Sequence, residues 1–174
     1  MQTQLLPKNP DLWFVDETGL QLQTTLRKVV APRGSKPTLR VTPSKESIRI
    51  IGALRKSGQF LWRIVPTVNQ EIVKQMLRWV KRRKGTGRSY VIWDQAGSHQ
   101  ARSVQELAYK KGIHLIFLPP YSPELNPVEE IWRRLKRFLA NHLFGTVPQL
   151  MAKVQQFFAA QQHRFALQVA NYFS

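Results

Sequence analysis

The chain of 174 residues has no cysteine. That excludes a disulfide framework and any thiolate-ligated zinc or iron–sulfur centre. It is poor in acids, with ten aspartates and glutamates against 27 lysines and arginines, a formal net charge of +17. No apolar run approaches the ~18 residues of a membrane span, so no membrane partner is expected. The N-terminus lacks the basic start and apolar stretch of a secretory signal, and a soluble, cytoplasmic protein is the expectation. Internal repeats and low-complexity tracts are missing too. What is present is 43% hydrophobic and 10% aromatic, too apolar for a disordered basic tail and enough for one domain with a proper core. So large a positive excess costs self-repulsion, which a polyanionic partner relieves. Nucleic acid is the commonest such partner.

Periodicity divides the chain. Residues 1–10 read as an extended lead-in. Leu12 to Val15 is a strand, and beyond Gly19 the alternation of Leu20 and Leu22 reads as a second one. Residues 26–41 look like strand, turn, strand around Pro32 to Pro37. Ser47–Leu54 and Gln59–Val65 flank Lys56-Ser57-Gly58 as a hairpin. The period then becomes helical: Ile72, Val73, Met76, Leu77 and Val80 follow a capping-box spacing at Thr67–Gln70, and Gly85 stops that helix. A strand at Ser89–Trp93, a helix at Ala101–Lys111 and a strand at Ile113–Leu118 come next. A proline-rich loop leads to a helix from about Pro127 to His142, and the remainder from about Val147 is helical. Antiparallel strands followed by alternating helices and strands predict an α/β fold with a mixed sheet flanked by helices, the RNase H-like order.

With so few acids, each can be inspected. Asp16 ends the apolar strand Trp13-Phe14-Val15, and Asp94 ends Val91-Ile92-Trp93. A carboxylate beside such strands is costly to bury unless paired, hydrogen-bonded or bound to metal; the plainer reading is a cap on the following loop. Glu129 and Glu130 open the late helix. At ~100° per residue Glu129 borders the apolar stripe of Val128, Ile131, Trp132, Leu135, Phe138 and Leu139. Glu130 points away, beside Arg133 and Arg134, and reads as a solvent-facing ion-pairing residue. Glu129 could equally be a first-turn acid favoured by the helix dipole. Three convergent carboxylates on a basic domain suit phosphodiester cleavage with two Mg²⁺ ions. The four histidines form no zinc-like cluster, and only His99, five residues after Asp94, is a plausible site residue.

Three blocks resemble the Tc/mariner superfamily of transposases. Phe14-Val15-Asp16-Glu17-Thr18 is similar to its first aspartate block. Val91 to His99, with Asp94-Gln95-Ala96 at its centre, is similar to the second, in which asparagine usually stands where Gln95 does. Leu118 to Glu129, reading Leu-Pro-Pro-Tyr-Ser-Pro-Glu-Leu-Asn-Pro-Val-Glu, resembles the third and is the most specific. The 34 residues between Asp94 and Glu129 match the spacing of the bacterial insertion-sequence branch, and Ala31-Pro32-Arg33-Gly34 resembles a turn of that branch. The resemblance covers residues 10 to 145. It implies an RNase H-like DDE catalytic domain over 11–174, a linker-like lead-in over 1–10, and an N-terminal helix-turn-helix domain absent from this sequence.

It further implies that Asp16, Asp94 and Glu129 are the catalytic and metal-binding residues, with Mg²⁺ or Mn²⁺, two ions, as cofactor. Glu17, Gln95, His99 and Asn126 are implied as near-site support. The implied activity is cleavage at transposon ends and joining of the freed 3′ hydroxyl to target DNA. Its expected partners are DNA, a second copy of the chain on that DNA, and a helix-turn-helix segment, separately encoded or frameshift-fused. The expected location is the bacterial nucleoid. Arg133, Arg134, Lys136 and Arg137 share a helix with Glu129 and are expected to contact DNA. Lys81, Arg82 and Arg83 are a second candidate set, although cations also simply suit a helix C-terminus. The competing readings are a catalytically inactive DNA-binding remnant and another RNase H-like nuclease such as a junction resolvase.

Overall fold

A computed structural model describes residues 10–22, 33–34, 44–83, 88–161 and 165. Strands β1 (Asp11–Gln21), β2 (Ser47–Arg55) and β3 (Phe60–Val65) precede helix α1 (Gln70–Arg82). Strand β4 (Ser89–Trp93), the short α2 (Gly97–Gln100), α3 (Arg102–Lys110), β5 (Ile113–Phe117), α4 (Val128–Leu139) and α5 (Val147–Gln161) follow, with one 3₁₀ turn at Pro123–Leu125. The sheet order is β3-β2-β1-β4-β5. β1 pairs antiparallel with β2 and parallel with β4, so the sheet is mixed. This is the RNase H-like fold expected from the order of elements. No helix among the described residues is long and apolar enough to cross a membrane.

The alternation of β1 builds two cores at once, because successive side chains on a strand point to opposite faces. Leu12 and Phe14 join β2 residues and the stripe of α4 (Val128, Ile131, Trp132, Leu135) and α5 in one cluster. Trp13 and Val15 join Ile51, Ala53, α1 and α3 in the other. A central strand buried on both faces must be apolar without interruption, as Leu12 to Val15 is.

Several local expectations need correction. β1 is one strand, not two: Gly19 stays in the ladder opposite Arg49 and Leu20 opposite Ile48. A single glycine weakens a strand without ending it when both neighbours keep their pairing. The α1 cap is Asn69, whose Oδ1 accepts from the Glu71 and Ile72 amides at 3.0 and 3.1 Å; Thr67 makes no such cap. Helix α2 is an additional turn ahead of α3. α4 ends at Leu139, three residues earlier than expected, with Asn141 at φ 61° just beyond. The strand–turn–strand read over 26–41 lies outside the described residues, apart from Arg33 and Gly34, which form a turn. Gly85 lies outside them as well.

Candidate active site

Asp16 and Asp94 come to the same end of the sheet by strand register. β1 and β4 run parallel with Phe14 opposite Ile92, so two further steps bring Asp16 and Asp94 alongside, just past the last pair. Alternation puts Asp16 on the same face as Phe14, under α4, and Glu17 on the other. The Trp132 indole N–H on α4 donates to Asp16 Oδ2 at 2.9 Å. That contact needs the space left by Gly52, which sits opposite Asp16 on β2. A methyl group at Gly52 would lie 2.6 Å from Phe60 Cζ and 2.8 Å from Trp132 Cη2, closer than such atoms approach.

Asn126 fixes where α4 begins. Its buried side chain donates from Nδ2 to the Val15 carbonyl at 2.9 Å and accepts from the Val128 amide at 3.2 Å. The Glu129 amide donates to the Asn126 carbonyl at 3.1 Å. The residue before Asp16 and the first turn carrying Glu129 are thus clamped by one amide side chain. Burial, followed by the negative charges of Glu129 and Glu17, raises the Asp16 pKa to about 8. The Glu17 amide and the Trp132 indole act the other way by hydrogen bonding.

Beside Asp94 stands a histidine held between acids. His99 is 1% exposed, stacks on Trp93 with centroids 4.2 Å apart, and places Nδ1 2.6 Å from Asp94 Oδ1. Its Nε2 lies 3.2 Å from Glu17 Oε1, a charge contact without hydrogen-bond alignment. The Trp93 indole N–H donates to the same Glu17 oxygen at 3.1 Å. Burial alone lowers the His99 pKa, but the hydrogen bond to Asp94 and the nearby charges of Glu17 and Asp94 outweigh it and raise it to about 9. The same imidazole holds the Asp94 pKa below the usual carboxylate value. Asp94 Oδ1 also accepts from the Ala96 amide at 3.1 Å. Gln95 turns away and donates to the Leu118 carbonyl at 2.8 Å, tying the ends of β4 and β5 together.

Asp16 and Glu129 therefore feel each other's charge, whereas Asp94 is turned to His99. Among the described residues no group of three His, Cys, Asp or Glu side chains closes to metal-holding distance. Glu130 pairs with Arg133 and, at 3.2 Å, with Arg134, as its facing predicts. Those two arginines are partly neutralised, while Lys136 and Arg137 are exposed on the same helix. Lys81 is partly buried, and Arg82 and Arg83 are exposed at the end of α1, on the other side of the sheet. The roles of Trp132 and Gly52 escaped the sequence reading. The helical step from Glu129 to Trp132 is the signal that could have found the first of them.

The chain resembles known proteins along most of its length. Residues 11–151 match the family model described as DDE superfamily endonuclease. An uncharacterized protein, y4pE/y4sA, of Sinorhizobium fredii is 35% identical over 98 residues, 55% of this chain and 70% of that protein. The Tcb1 transposase of Caenorhabditis briggsae is 29% identical over 99 residues, 55% of this chain and 36% of the transposase. In structure, the Mos1 mariner paired end complex with Mn superposes with a TM-score of 0.76 at 19% identity, covering 93% of this chain and 52% of that one. This chain thus spans about half of that Mos1 chain. Motifs, sheet order and family match agree: the chain belongs to the DDE superfamily endonucleases.

Proposed function

We propose that Asp16, Asp94 and Glu129 hold divalent metal, two Mg²⁺ or Mn²⁺ ions, and that the chain cuts DNA at transposon ends and joins the freed 3′ hydroxyl to target DNA. The observation that carries this is Asp16: a buried carboxylate facing two other acids, with no cation placed to pair with it among the described residues. Hard oxygen donors of this kind suit Mg²⁺ or Mn²⁺. Bound metal supplies water activation and stabilisation of the leaving oxygen.

The chain's own residues set the stage. Trp132 donates to Asp16 Oδ2 and so orients the carboxylate. Asn126 fixes the first turn of α4 against β1 and with it Glu129. His99, anchored by Glu17 and Trp93, orients Asp94, the hydrogen-bonded support that ligating carboxylates commonly receive. Lys136 and Arg137 offer cations to the phosphate backbone. Action on two transposon ends calls for two copies of the chain on the DNA. We assign sequence-specific reading of the ends to a helix-turn-helix segment outside this domain. A nicking assay on DNA carrying the terminal repeats, with and without Mg²⁺ or Mn²⁺ and with Asp94→Ala as control, tests the reading. Metal-dependent nicks that vanish in the variant support it. DNA binding without any nicking by the native chain would mark an inactive remnant instead.

A further inference from the structure

A second basic surface lies on the far edge of the sheet. The row Glu17, Ile51, Arg63 crosses from β1 through β2 to β3, and with strands ~4.8 Å apart Arg63 stands ~10 Å from β1. There a cavity of about 330 Å³ opens between β3 and α1, lined by Arg63, Arg78, Arg82, Trp79 and Gln75 among others, and by no acid among the described residues. The Arg63 guanidinium lies over the Trp79 ring, 5.8 Å from its centroid, and donates to Gln75 Oε1 at 3.3 Å. Stacked and bonded in this way, its fork is pre-organised for a planar or tetrahedral oxyanion. Arg78 shares one exposed carboxylate, Glu71, with Lys74, at 3.0 and 3.1 Å. Arg82 has no ion pair among the described residues and sits on the last turn of α1.

This cavity belongs to the α1 face, whereas Lys136 and Arg137 ride on α4 across the sheet. Two basic faces on one domain suit two DNA segments better than one. We propose that the α1–β3 cavity is a second DNA-backbone site, where Arg63, Arg78 and Arg82 take phosphates of a duplex other than the one lying along α4. This rests on the DNA-processing reading above, but it needs neither metal nor cleavage.

The test is binding of a short duplex to the full chain in EDTA, followed by anisotropy through a salt series. The triple variant Arg63→Gln, Arg78→Gln, Arg82→Gln is compared with Arg102→Gln, Lys110→Gln, Lys111→Gln, which removes equal charge on and beside α3. We expect the native chain to bind two duplexes and the cavity variant one, the lost site carrying a log–log salt slope of ~2–3 at ~0.9 per phosphate released, whereas a single duplex per native chain overturns the second site. The α3 variant should keep its slope. Arg82→Gln alone, an exposed and unpaired side chain that cannot fail through misfolding, should flatten the slope by ~1. Equal losses in the two triple variants, or an unchanged slope in Arg82→Gln, overturn the second site and leave the DNA-processing reading intact. No binding by the native chain overturns both.

Discussion

Strand β1 carries one buried aspartate at its start and another at its middle, and they are opposites. Asp11 and Asp16 are 8% and 9% exposed, so burial does not separate them. Asp11 is satisfied on both oxygens: Arg55 Nε donates at 2.6 Å and Ser89 Oγ at 3.0 Å, with Arg55 lying over the Trp13 ring. Asp16 accepts from the Trp132 indole and the Glu17 amide and otherwise faces acids. A buried carboxylate with a cation of its own is a structural pair. One that faces other carboxylates has no such cation among the described residues, and the proposed metal site rests on that difference.

The largest expected break in this comparison is catalytic. Asp16→Asn and Glu129→Gln should each reduce metal-dependent cleavage by ~10³-fold or more, about 4 kcal/mol on the barrier, with folding intact. Asp11→Asn should leave cleavage within a few fold while lowering unfolding free energy by about 2–4 kcal/mol, since it strands Arg55 in a partly buried place. Denaturant titrations alongside cleavage rates check both, and a cleavage-dead Asp11→Asn would erase the distinction between the two aspartates.

The pH dependence sharpens it. The folded Asp16 pKa of about 8 lies above the ordinary aspartate value of 3.8, so folding favours its protonated form. That contribution is complete below pH ~4 and is lost as pH rises through about 8. His99, raised from 6.5 to about 9, has the same sign over the upper part of this range. Metal-free protein should therefore weaken from pH 5 to 8, Mg²⁺ should offset the loss, and Asp16→Asn should flatten the curve; each pKa unit removed corresponds to ~1.4 kcal/mol. Stability that climbs over this range in the metal-free native chain would contradict the assignment.

Next in size, Gly52→Ala should cost about 1–3 kcal/mol by overpacking and loosen Trp132 from Asp16. Near-ultraviolet circular dichroism of the indole reports the displacement, and Gly52→Ala combined with Trp132→Phe should recover part of the stability. Smallest of all, Glu130→Gln should keep most cleavage and lose ~0–1 kcal/mol from its exposed pairs with Arg133 and Arg134. A dead Glu130→Gln beside an active Glu129→Gln would shift the helix register by one residue.

Much of this was legible from residues alone. The hairpin, β4, β5 and the change of period at α1 followed from alternation and turn residues, because those are local rules. The facing of Glu130 followed from helix geometry and is seen in its arginine pairs. The split of β1 at Gly19 was misread because a ladder formed with a distant segment, Ser47–Arg55, overrides local propensity. The Asp11–Arg55–Ser89 cluster was invisible for the same reason: its members are far apart in sequence. Trp132 read as core, and it is; that its one polar atom meets Asp16 depends on an angle between α4 and the sheet that no spacing encodes.

Gly52 and Trp132 also constrain how this sequence can drift. The Phe60 ring and the Trp132 indole together fill the volume that a side chain at 52 would take, so position 52 shares its space with both rings. Among related chains, any that carries alanine or serine at the position of Gly52 should carry a smaller ring or an aliphatic residue at that of Trp132 or Phe60. The first of two such changes is penalised until the second arrives, so the pair should be inherited as a linked couple.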